Sequence, residues 1–150
     1  MRIALQIPEV DQGIVIDATR ALANYNARTY RCRVGEVCTR PPWGLQYDAS
    51  DGDSSVVAGE PTIVMRDAVA LMRAGSGACG ELSAAYAGWL ISRGASVELV
   101  APQTRSDDDP KGPAWHVMVV WNGVTLDPMR ADWIRSMFAA DGWRNAHGMR

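Results

Sequence analysis

The sequence predicts a single α+β domain, and three observations carry that reading. Apolar residues recur at helical spacing over Asp11–Asn26. A second helical run opens at Cys79 and stops at Gly94. Between Trp115 and Met129, "WHVMVVWNGVTLDPM" joins two alternating apolar runs through Asn122-Gly123, the dipeptide that a two-residue type I′ hairpin turn favours.

Along the chain, "RIALQI" (Arg2–Ile7) alternates weakly and reads as a short strand, with Pro8 and Glu9 suited to the opening of a helix. In the helix Asp11–Asn26, Ile14, Ala18, Leu22 and Tyr25 recur at steps of three and four. Arg28–Asp48 is irregular, and Pro41-Pro42 breaks any helix there. "ASDGDSS" (Ala49–Ser55) is turn chemistry and reads as a surface loop. Glu60–Gly75 reads as a helix: Pro61 opens it, Met65, Val69 and Met72 share a face, and Gly75 ends it. In the Cys79 helix, Leu82, Tyr86, Trp89 and Leu90 fall on the face of the cysteine, and Gly94 closes it. Ala95–Ala101 alternates as a strand, and Pro102–Ala114 is a long polar loop, readable as a solvated loop or as a lid ahead of His116. The last helix places Trp133, Ile134, Met137 and Phe138 on one side, and the tail 141–150 is polar. The domain core is therefore expected over about 60–140, with a central helix bearing Cys79 packed on a small antiparallel sheet.

Composition narrows the function classes. The chain has 150 residues, 47% of them hydrophobic, enough to bury a core. Net charge is −2, with no basic run, so no nucleic-acid partner is expected. No apolar stretch reaches the ~18 residues of a membrane span, and the N-terminus lacks a secretory h-region. Three cysteines do not make a disulfide scaffold, so the chain reads as synthesised in the cytoplasm with reduced thiols. "CRVGEVC" (Cys32–Cys38) has neither zinc-knuckle spacing nor a second ligand pair, and His147 lies in the polar tail. No metal or other cofactor is expected, and Cys32 and Cys38 would pair only in an oxidising environment.

The hairpin brings chemistry together. A turn at Asn122-Gly123 pairs Trp121 with Val124, Val120 with Thr125, Val119 with Leu126 and Met118 with Asp127. His116, Met118, Val120 and Asp127 then share one face, and His116 and Asp127 become diagonal neighbours with Cβ atoms about 7 Å apart. A slip of one residue would separate them. Cys79 sits in the first turn of its helix, where the macrodipole favours a thiolate. Gly77, Ala78 and Gly80 leave room for a substrate carbonyl, and first-turn N–H groups can hold an oxyanion. A thiol nucleophile, an imidazole to carry the proton and a carboxylate to orient it are the parts of thiol acyl transfer. Taken singly, each has a plainer reading: a small core hydrophobe, a strand-edge histidine and an Asp-Pro turn.

"GACGELSAAYAGWLISRGASVELV" followed by "WHVMVVWNGVTLDPM" resembles the core of the transglutaminase-like superfamily, within the wider papain-like class. The likeness spans Gly75 to Arg130. It implies a papain-like core in which Cys79 is the nucleophile, His116 the general base and acid, and Asp127 the orienting carboxylate. It also implies an upstream Gln or Trp as oxyanion partner, for which Trp43 and Gln46 are of the right type. "PPWGLQYD" and the "WHV…LDPMR" ending are similar to small members encoded by tailed phages and prophages. Those members carry an acidic residue just before the Cys, where this chain has Ala78, with Glu81 two residues after the Cys. The resemblance implies amide chemistry on a peptide or protein substrate. The alternative it carries is a structural part of a phage particle, partnered by other virion proteins and keeping a relic triad. A cell-wall amidase of the papain-like type is a third class, but would favour a different third residue than Asp127.

Overall fold

The computed structural model describes residues 4–8, 11–30, 41–48, 55–57, 60–110 and 112–139. In chain order the elements are β1 (Ala4–Pro8), α1 (Gln12–Tyr30), β2 (Gln46–Tyr47), β3 (Ser55–Val57), β4 (Glu60–Arg66), α2 (Ala68–Ala74), β5 (Ser76–Gly77), α3 (Cys79–Ser92), β6 (Glu98–Val100), β7 (Gln103–Arg105), β8 (Ala114–Trp115), β9 (Met118–Trp121), β10 (Val124–Leu126) and α4 (Ala131–Ala139), with 3-10 turns at Pro42–Gly44 and Pro128–Arg130. This is a mixed α+β arrangement around one central helix.

α3 is that centre. Gly80 to Gly88 and Leu90 are buried, and α1 and the β9 layer pack against it. The tight fit to α1 depends on Gly88: a Cβ there would stand 2.6 Å from the Asn26 Cβ and 2.9 Å from the Ala23 carbonyl. On the other side Leu82, Tyr86 and Leu90 meet Leu99, Val119, Trp121 and Leu126 of the sheet and Ile134 and Phe138 of α4. Trp43 is threaded into this core, its ring 3.5 Å from that of Phe138 and nearly parallel to it, and stacked on Tyr86 as well.

The sheet order β10-β9-β6 is antiparallel, with Trp121 facing Val124, Val120 facing Thr125 and Val119 facing Leu126. Asn122 (φ 48°) and Gly123 (φ 74°) both take the positive φ that a type I′ turn requires. The expected strand Trp115–Trp121 is divided into β8 and β9, yet its register against the preceding segment runs on unchanged: Val100 faces Met118 and Gln103 faces Trp115. The cause is Pro102. It accepts a hydrogen bond from the His116 N–H at 2.9 Å but has no N–H to return to His116. The polar stretch after it is a folded hairpin rather than a structureless loop: β7 pairs β8, and Arg105 Nε donates to the Gly112 carbonyl.

Several expected boundaries move. The helix expected over Glu60–Gly75 is a strand followed by a short helix. β4 pairs with both β1 and β3, as the β-branched run Thr62-Ile63-Val64 favours, and Asp67 caps α2 by accepting from the Ala70 N–H at 3.0 Å. Gly75, at φ 81°, ends α2 as read. Pro8 closes β1 instead of opening a helix, and α1 runs on to Tyr30, past the expected Asn26. Trp133 is 41% exposed beneath the Arg130 guanidinium, so α4 buries Ile134 and Phe138 without it. The Cys32–Cys38 pair, most of the Ala49–Ser55 loop, His147 and the polar tail lie outside the described residues.

One buried ion pair locks these layers. Glu81, 1% exposed, takes the Arg66 guanidinium on both oxygens, Nε to Oε2 at 2.6 Å and NH2 to Oε1 at 3.0 Å. It also accepts from the backbone N–H of Arg66 and of Ala78, while Arg66 reaches the Ser76 carbonyl. Removing Glu81 strips the Arg66 guanidinium of its partner and leaves the N–H groups of Arg66 and Ala78 without their acceptor. Glu81→Ala is therefore expected to lower unfolding free energy by about 3 kcal/mol, read as a fall in urea midpoint.

Candidate active site

Cys79 is the first residue of α3. The residue before it, Ala78, has extended backbone and no side-chain oxygen to cap the helix; Glu81 reaches back only to the Ala78 N–H. The N–H groups of the first turn therefore keep their capacity for an anion beside the sulfur. Sγ lies 3.9 Å from the Trp115 carbonyl and packs beside Trp115 on the small cluster of Val15, Ala101 and Val117.

His116 occupies the gap between β8 and β9. Its Nε2 is 2.7 Å from Asp127 Oδ1, which also accepts from the Met129 N–H at 3.0 Å. The Cys79 side chain acts on the same imidazole. With Nε2 committed to Asp127, Nδ1 is the nitrogen left for sulfur. Cys79 first, and then the hydrogen bond to Asp127, push the imidazole up to about 9 against the lowering effect of burial. His116 and Asp127 are thus hydrogen-bonded, with Cys79 close enough to act on the imidazole, and the side chains of His116 and Asp127 retain some exposure, 14% and 28%.

The remaining sequence candidates separate. Trp43 is buried and its contacts are with Phe138 and Tyr86, so its indole is a core group. Gly80 is buried against Met65, whose Sδ would lie 2.7 Å from an added Cβ; its smallness serves packing behind the helix rather than substrate approach. Gln46 is exposed on β2 and lines a cleft with Tyr47, Met129, Arg130, Ala131 and Asp132.

Three contributors escape sequence patterning. Ser83, one helical turn beyond Cys79, donates from Oγ to the Val117 carbonyl at 2.8 Å and so ties α3 to the segment that carries His116. Glu81 fixes the helix start from behind. Tyr47 sits beside the site because β2 pairs in parallel with β5, Tyr47 opposite Gly77. A serine four residues after a candidate nucleophile on a helix is the only local signal among these.

A mixed α+β fold with a thiol at a helix start and a His–Asp pair on the adjoining hairpin describes the molecule. Compared with protein-family models, with curated proteins and with solved structures, the chain matches none.

Two outcomes follow from this geometry. Ser83→Ala orphans a buried carbonyl and is expected to cost about 1–3 kcal/mol, with Cys79 reactivity falling as the helix and the His116 segment lose their tether; urea unfolding and thiol alkylation read the two effects. A group whose folded pKa is raised adds stability that is complete below its unfolded value and is lost as pH climbs through the folded one. For His116 that window runs from 6.5 to about 9. The excess in melting temperature of the native chain over His116→Gln should therefore be largest near pH 6 and shrink towards pH 9.5.

Proposed function

We propose that the protein carries out thiol-dependent amide chemistry, as a cysteine peptidase, amidase or acyltransferase built on a transglutaminase-like core. The observation that carries this reading is the His116–Asp127 hydrogen bond at 2.7 Å, with the imidazole pKa raised by Cys79 and Asp127 and the thiol at the head of α3. An imidazolium beside sulfur supplies the counter-charge that a thiolate nucleophile needs. Cys79 Sγ would attack a substrate carbonyl, the N–H groups at the α3 start would receive the developing oxyanion, and His116 would return its proton to the departing amine. Asp127 keeps the imidazole in place through that transfer. Water or an amine acceptor would then release the acyl group, His116 now serving as base. A peptide or protein substrate fits this reading; the described residues contain no helix long and apolar enough to cross a membrane.

The test is alkylation of Cys79 by iodoacetamide at pH 7, followed by mass spectrometry of the Cys79 peptide, in the native chain and in His116→Ala. The native thiol is expected to outpace Cys32 and Cys38, and His116→Ala to slow it at least about tenfold. Equal rates for Cys79 in the two proteins would remove the enzymatic reading. They would leave the alternative, a particle component that keeps the fold without its chemistry.

A further inference from the structure

β2 is two residues long, yet its placement is well defined. Gln46 N–H donates to the Gly75 carbonyl at 3.0 Å and Asp48 N–H to the Gly77 carbonyl at 2.9 Å, so the Tyr47 side chain springs from a backbone bonded to the segment that runs directly into Cys79. On its other flank stands the turn Pro128–Arg130, whose first residue follows Asp127; β2 and this turn are the two walls of a cleft of about 350 Å³. Tyr47 is half-buried, with its ring packed on the main core. Its hydroxyl makes no hydrogen bond among the described residues. Burial first, then the charges of Cys79, Asp127 and Asp48, raise its pKa, so the phenol stands within electrostatic reach of both ends of the Cys–His–Asp run.

A phenol O–H without a hydrogen bond, on a strand bonded to the segment that leads into Cys79, has one clear chemical use. We propose that Tyr47 is the side-chain oxyanion donor of the Cys79 centre, acting with the first-turn N–H groups of α3 on the carbonyl oxygen of an amide brought to the sulfur alongside β2. This rests on the thiol chemistry proposed above. In the step concerned, the Cys79 sulfur forms a bond to the carbonyl carbon and the C=O π pair moves onto oxygen. Tyr47 donates a hydrogen bond to that oxygen without giving up its proton. The C=O then re-forms, the C–N bond breaks, and the amine leaves with the proton of the His116 imidazolium; the acyl group remains on sulfur. Tyr47 takes the place that the upstream residues Trp43 and Gln46 were expected to fill, because one is taken up by the core and the other is exposed at the cleft rim.

The experiment exploits two reagents that differ in one respect. Acylation of Cys79 by p-nitrophenyl acetate passes through a tetrahedral oxyanion, whereas alkylation by iodoacetamide does not. Both rates are followed by mass spectrometry of the Cys79 peptide in the native chain, in Tyr47→Phe and in His116→Ala. Tyr47→Phe removes only an unbonded hydroxyl, so the fold is retained, as its circular dichroism will show. It is expected to slow acylation at least about tenfold and to leave alkylation within twofold of native. Acylation unchanged in Tyr47→Phe, or both rates falling together, overturns the assignment. A native Cys79 that reacts with neither reagent faster than in His116→Ala overturns the thiol reading itself, and Tyr47 with it.

Discussion

The head of the central helix, from which Cys79 projects, depends on the ion pair of Arg66 with the buried Glu81. A carboxylate taken out of water must have its lone pairs met, and Glu81 meets them with the Arg66 guanidinium and two backbone N–H groups. The donors come from separate segments: Arg66 ends β4, Ala78 precedes α3, and the same guanidinium holds the Ser76 carbonyl in β5. Three chain segments are thereby pinned to one point at the head of the central helix. A negative charge in the first turn also lies where the helix dipole favours it. With this anchor behind the helix start, the front of the same turn is left to the sulfur.

The other half of the site is set by a flaw in the sheet. Pro102 interrupts the ladder opposite His116 without changing register, so the strand carries on as β9 while His116 sits at the break. Ser83 then bridges across, holding Val117 to the helix that carries Cys79. The thiol and imidazole therefore come from two layers, and their mutual position is fixed by one buried hydroxyl, one proline and the hairpin turn rather than by any loop. Close helix packing at Gly88 fixes the helix from its far side.

Legibility in the sequence followed the range of the interaction. The hairpin register, and through it the His116–Asp127 contact, was readable because two local rules, positive φ at Asn122-Gly123 and alternation along the strands, are enough to specify it. The helix start at Cys79 and its end near Gly94 were readable for the same reason. Residues 60–66 were misread because Met65, Val69 and Met72 mimic a helical face; the decision belongs to pairing with β1 and β3, which no local pattern announces. Trp43 was assigned by type, and type does not distinguish a core ring from a donor. Tyr47 went unnoticed because a two-residue parallel pairing leaves no periodicity. Glu81, noted only for standing near the cysteine, turned out to answer an arginine in a different element.

Ala78 at the head of α3 has a consequence for anyone who would engineer this chain. Helix starts are ordinarily improved by Ser, Thr, Asp or Asn, whose side chains satisfy an exposed N–H and add about 1 kcal/mol. Here the same substitution would point an oxygen at the backbone donors beside the sulfur. Thermal tolerance and anion affinity compete for one set of backbone hydrogens. A library screened for melting temperature alone would drift towards capped, sturdier proteins in which the N–H groups beside the sulfur are already taken.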